Sequence, residues 1–247
     1  MKSLINCYWF TFSCFKKVLF IPILVFAGGC NTIDIKHIND SISQAQLPLD
    51  EKTVIAGLKQ ALEIGTANST VKTSRKDGFN RNALIRIEIP QELQKVADAL
   101  NRLGLSRYVN DFEVQMNRAA ENASGATKDV FIESISRMSL QDAWSILNGP
   151  DDAATQYFRR DAEQQLRGRV TPIVENSMRK VGVYSDYRKV MSAYNAIPFV
   201  KKPKINLEAY VTQKTLDGLF KMVAEEEAKI RRDPGARVTK LLQRVFN

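Results

Sequence analysis

From Pro48 to the end of the chain, apolar residues recur at intervals of three and four, and this period constrains the fold more than any other feature. Val54, Leu58, Ala61 and Leu62, with Ile55 beside them, form one stripe behind Asp50, a residue suited to cap a helix. Leu93, Val96, Ala97 and Leu100 form a second, begun at Pro90 and closed by Gly104. Ser106 caps a third helix, carrying Val109, Phe112, Val114 and Met116 toward Ala123, while Val130, Phe131, Ile135 and Met138 mark a separate segment. Ser139 and Asp142 have capping-box spacing ahead of Trp144, Ile146 and Leu147.

Gly149-Pro150 ends that helix, and Asp151 or Asp152 caps the next, which runs to Arg169 and is broken or restarted at Pro172. Gly182 closes the following piece, and a tyrosine-rich helix covers residues 184–195. Asn206 caps a helix over 207–232, and Asp233-Pro234 starts the last, over 234–246. In that last helix Arg237, Lys240 and Arg244 form a basic stripe opposite Val238, Leu241, Leu242 and Val245, the apolar face docking on the bundle. Only Ile85, Ile87 and Ile89, alternating with Arg86 and Glu88, have strand spacing, with residues 204–207 as a pairing partner. The expected class is all-α, a multi-helix bundle of roughly eight to ten helices with at most a minor two-stranded β ribbon. Its core should bury Leu58, Leu62, Leu100, Phe112, Phe131, Trp144, Phe158, Leu219 and Phe220.

Ahead of the helices lies an address. Residues 18–29, VLFIPILVFAGG, follow Lys16-Lys17 and precede Cys30. A membrane span needs ~20 apolar residues, so this run has the length of a signal-peptide core. Small residues Ala27, Gly28 and Gly29 directly before a cysteine resemble a bacterial lipobox, in which that cysteine is acylated and becomes the mature N-terminus; Ala27 stands where a large aliphatic residue is usual. The resemblance implies residues 1–29 as a lipoprotein signal peptide, Cys30 as the lipidation site, and residues 30–47 as a tether. The domain is then 48–247. Asn31, rather than Asp, implies release to the outer membrane, facing the periplasm. Export disfavours nucleic acid as a partner, although the chain carries a net charge of +9; Lys2, Lys16 and Lys17 leave with the signal, reducing that charge by three.

Chemistry is scarce. The single histidine, His37, falls in the tether, and cutting before Cys30 removes Cys7 and Cys14. No zinc-ligand spacing, no Ser-His-Asp set and no glycine-rich phosphate loop is present, so neither a metal nor a cofactor is expected. Carboxylates remain: Asp151, Asp152 and Asp161, or Glu225, Glu226 and Glu227, could supply an acid and a base, but acidic runs on long helices are usually solvated faces. Asp152, Thr155 and Arg159 can share one helical face.

Several stretches resemble the bacterial family called domain of unknown function 4197: residues 56–62 (AGLKQAL), 116–121 (MNRAAE), 147–160, 194–198 (YNAIP), and 216–220 (LDGLF) through 224–227 (AEEE). The resemblance spans about residues 48–247 and implies an exported, largely helical protein; it carries no catalytic roles. Two functions follow as expectations. One is a membrane-anchored, periplasm-facing lipoprotein whose domain binds or scaffolds an envelope protein, lipid or cell-wall polymer. The alternative is an envelope-directed hydrolase or small-ligand-binding protein. Its polar groove would use Asn117, Arg118, Glu121, Asp151, Asp152, Arg159, Tyr194 and Asn195. The missing catalytic set tips the balance toward binding. Convergence of those residues in one enclosed pocket would tip it back.

Overall fold

A computed structural model describes residues 50–246 of the chain, at 161 and 162 in backbone only. Residues 1–29, expected to be a signal peptide, Cys30, and residues 30–47, expected to be a tether containing His37, lie outside the described residues. The described residues belong to one compact unit.

The described residues are all-α. Nine α-helices follow in order: α1 Glu51–Ser74, α2 Gln94–Arg102, α3 Ser106–Ser136, α4 Leu140–Leu147, α5 Ala153–Tyr157, α6 Glu163–Val181, α7 Val183–Asn195, α8 Leu207–Arg232 and α9 Lys240–Val245. Short 3₁₀ turns at Gln91–Leu93 and Pro234–Ala236 and a π turn at Phe158–Ala162 complete them. The four long helices form a ring in which α1 packs on α3, α3 on α6, α6 on α8, and α8 on α1. Neighbours run antiparallel: Lys59 near the start of α1 donates to the Ser136 carbonyl at the end of α3, and contacts descend α8 as the chain enters α6, from Arg159 with Asp217 to Glu163 with Gln213. Helices α2 and α7 lie against α3, α4 lies against α1, and α5 lies against α8.

Local chemistry explains most boundaries. Asp50 accepts from the Thr53 amide at 2.8 Å and Asn206 from the Ala209 amide at 2.8 Å, so each satisfies a donor that its helix start leaves open. Ser139 and Asp142 form the full capping box of α4. Gly104 and Gly182 stop or turn helices at positive φ, 76° and 86°, where L side chains are strained. In the core, Phe131 meets Phe158 and Phe220 edge-on, with ring centroids 6.2 Å and 5.7 Å apart. Leu58, Leu62, Leu100, Phe112, Phe131, Phe158, Leu219 and Phe220 are all buried as expected.

Several expectations need correction. Ser106 does not cap α3: it is the first helical residue, behind Leu105, and no side-chain cap forms there. No β ribbon forms among the described residues. Residues 86–90 are extended coil and 204–206 remain unpaired, because the Asn117 side chain takes over the partner strand's role: it receives the Ile87 amide at 2.9 Å and donates to the Ile87 carbonyl at 2.8 Å. Helix α3 is one continuous helix through Gly125, and the segment from Val130 to Ile135 belongs to it rather than to a separate helix. Its small residues Ala120, Ala123, Ser124 and Thr127 are buried, and a Cβ on Gly125 would lie 3.5 Å from Ser74 Cβ on α1, so close packing sustains a weak stretch. Pro172 neither breaks nor restarts α6; Val170 and Val174 on either side are fully buried, and that packing outweighs the ~3 kcal/mol defect of an interior proline.

Trp144 is 38% exposed, since the short α4 turns Ala143 and Ile146 inward and leaves the indole N–H donating to Glu51 at 2.9 Å. The last helix is shorter than 234–246: the chain leaves helix at Arg237, whose buried guanidinium caps the end of α8 on the Ile230 and Arg231 carbonyls, so no continuous basic stripe exists. Docking holds. Leu242 is fully buried, and α9 approaches α1 so closely that a Cβ on Gly57 would sit 2.6 Å from Val245.

Candidate functional site

Three of the eight candidate residues meet on α3. Asn117, Arg118 and Glu121 lie within one turn, and all three face the irregular segment between α1 and α2. Glu121, 3% exposed, accepts the Phe79 and Asn80 amides on one oxygen at 3.1 Å each. Its other oxygen accepts from Arg118 at 2.6 Å, and Arg118 also donates to Asp77 at 2.8 Å. Hydrogen bonds from Asn80 and Arg118 hold the Asp77 carboxyl below its ordinary range. Asp77 sits at φ 67°, a sharp corner that starts the loop. Behind it, Phe79 packs on Gly218 of α8, where a Cβ would lie 2.6 Å from the ring. The cluster therefore clamps loop 77–87 to the bundle.

The aspartates lie elsewhere. Asp151 pairs with Arg232, and Asp152 accepts from the Gln156 side chain at 2.9 Å. Neither caps α5. That task falls to Glu227 of α8, 6% exposed, whose two oxygens receive the Ala154 amide at 3.1 Å and the Thr155 amide at 3.3 Å. One turn later Arg231 closes the other half of the corner. It bonds Glu227 at 3.0 Å and donates to the Ile146 and Leu147 carbonyls at 2.7 Å and 3.2 Å. Negative charge thus meets the positive start of α5, and positive charge the negative end of α4. Burial pushes the Glu227 carboxyl above its ordinary value, against the two amides and Arg231.

Only Glu225 of the acidic run is solvated. Glu226 is buried beside Glu227 and bonds Lys72 and, at 3.0 Å, Asn68; burial opposes its ionisation, but those partners prevail and hold its carboxyl below the usual value. Arg159, expected to share a face with Asp152, instead bonds Asp217 at 3.2 Å and lies over the Phe220 ring, 5.1 Å from its centroid. Tyr194 is buried at the end of α7, while Asn195 next to it is exposed. The eight residues therefore occupy separate places: one cluster on α3, the α4–α5 corner, the π turn, and the end of α7. An open groove of about 830 Å³ between the α2–α3 turn and α7 is lined by Tyr108, Asp111, Asp186 and Lys189, among others, and by none of the eight. Among the described residues no group of three or more His, Cys, Asp or Glu could hold a metal ion, and no helix is long and apolar enough to cross a membrane.

The sequence marks Asn117, Arg118 and Glu121, and Glu227 only as one of a run of carboxylates; nothing in it marks Asp77 or Arg231 as charge partners. A signal for Glu227 existed. Leu216, Leu219, Phe220, Val223 and Ile230 set the buried phase of α8, and residue 227 falls on it. General acid–base work requires a carboxylate within reach of a substrate proton. Both oxygens of Glu121 and of Glu227 are instead committed to the protein's own donors.

Residues 48–247 match the family model described as protein of unknown function (DUF4197), and the chain belongs to that family. No curated protein and no solved structure matches it.

Proposed function

We propose that this DUF4197 protein is an envelope lipoprotein, anchored through an acylated Cys30 at the outer membrane and facing the periplasm, with a helical domain that binds or scaffolds an envelope component. The observation that carries the domain's role is the fate of the polar side chains. Asn117, Arg118, Glu121, Glu227 and Arg231 are spent on fixing loops and helix ends, and the candidates do not converge in one pocket. The short apolar run, the small residues before Cys30 and Asn31 support the anchor. An envelope-directed hydrolase would need an uncommitted carboxylate facing a cleft, and no convergence of the eight residues supplies one.

The test is the intact mass of protein extracted from membranes. It should equal residues 30–247 plus lipid, and Cys30→Ser should move the domain to the soluble fraction or stall its processing. An unlipidated terminus within residues 31–47 would contradict the anchor. Turnover of cell-wall polymer or phospholipid by the purified protein, abolished in a folded Glu227→Gln variant, would favour the hydrolase.

A further inference from the structure

The loop between α7 and α8 displays one phenylalanine in an unusual way. Ile197, Val200 and Ile205 all pack against the core, yet Phe199, between the first two, is 105% exposed. Its φ is 60°, and Pro198 precedes it. Proline followed by a residue of positive φ is the pattern of a type II turn, whose second central position favours Gly or Asn. A bulky residue there is an outlier. The apolar side chains on both sides are seated, so Phe199 is held outward by its own anchored turn.

Charge follows immediately. Lys201, Lys202 and Lys204 are exposed and none joins an ion pair among the described residues. The next carboxylate along the chain, Glu208, lies by Tyr184, whose hydroxyl is pushed up to about 12 by burial and by that carboxylate. Pro203 holds Lys202 extended, which keeps this basic stretch out of α8. The groove described above joins the α2–α3 turn to Ala196 at the end of α7, so that turn shares this end of the molecule. It adds a second exposed apolar side chain, Leu103, at 58%.

We propose that the Phe199 loop is a membrane-contact element that inserts its aromatic ring among lipids of an anionic bilayer surface, with Lys201, Lys202 and Lys204 at the phosphate level. An apolar tip flanked by unpaired cations matches the layered chemistry of such a surface. The proposal extends the lipoprotein reading, since an anchored domain meets a bilayer continually. The loop sits at the start of α8, away from the start of α1. The chain from Cys30 to Pro48, drawn out, spans about 60 Å, more than the ~39 Å of a 26-residue helix such as α8, so the tether's length does not prevent contact.

The unit Pro48–Asn247 contains every core residue described above, so it can be tested without its anchor. It should sediment with phosphatidylglycerol-containing vesicles and not with pure phosphatidylcholine. Changing all three lysines to Gln should weaken binding about a hundredfold, at about 1 kcal/mol per lysine, and Phe199→Ser about tenfold or more. Both variants should keep the parent's melting temperature. Phe199→Trp should show a blue-shifted emission on those vesicles that Trp144 alone does not. Equal partition on both vesicle types, or undiminished binding in the loop variants, would overturn the proposal. So would a dimer, seen by sedimentation and lost in Phe199→Ser, in place of vesicle binding. None of these results bears on Cys30, whose acylation is read from the mass of the full chain.

Discussion

The Glu121 and Glu227 corners use the same device with different reserves. In each, a glutamate on a long helix accepts two backbone amides from another segment, and an arginine on the same helix, three residues before or four after, balances the charge. At the first corner Arg118 has a second carboxylate, Asp77, and its side chain is 23% exposed. At the second, Arg231 has no other carboxylate among its bonds, is 11% exposed, and bears on the ends of two helices at once. A clamp with a spare partner and some access to water should tolerate damage. A sealed one should not.

The largest effect should therefore come from Glu227→Ala. It leaves a buried guanidinium unpaired and two amides open, a loss of about 3–5 kcal/mol, seen as a drop in denaturant midpoint. Glu121→Ala should cost less, about 2–3 kcal/mol, because Arg118 retains Asp77. A larger loss at Glu121 than at Glu227 would break the comparison. Asn117→Ala should cost about 1–2 kcal/mol by opening both polar groups of Ile87, and the Ile87 amide should then exchange faster with solvent.

A finer difference lies in pH. Burial raises the native Glu227 carboxyl above the ordinary value of 4.5, so the folded protein keeps a proton that the unfolded chain has already released. Its contribution is full below that value and is lost as pH rises through the raised native value. Stability of the native protein measured against Glu227→Gln should accordingly fall as pH is raised from about 4.5. A rising margin would mean that Arg231 and the amides outweigh burial. The smallest effect should be at Asp152→Ala, within about 0.5 kcal/mol, since Asp152 makes no bond to the α5 amides.

These comparisons also show which parts of the fold the sequence makes legible. Caps within three residues of their targets, Asp50, Ser139 with Asp142, and Asn206, are local and were readable, as was the full extent of α8. The cap of α5 comes from Glu227, 73 residues from Ala154, and no local pattern announces it, whereas Asp151 and Asp152 stand at the position a local cap would take. The alternating isoleucines at 85–89 correctly report Ile85 and Ile87 as buried, but alternation does not say whether a strand or a single asparagine will satisfy the backbone. In the same way Asn117, Arg118 and Glu121 stand in the stretch MNRAAE that carries the family resemblance, while their task depends on a loop whose path only the packed structure defines.

The central claim is that the buried carboxylates hold specific backbone segments, and amide hydrogen exchange read residue by residue tests it most directly. Glu227→Ala should unprotect the Ala154 and Thr155 amides and leave those of Phe79 and Asn80 as they were; Glu121→Ala should do the reverse. Protection that survives at the targeted pair in either variant, or is lost equally at both pairs, would contradict the account.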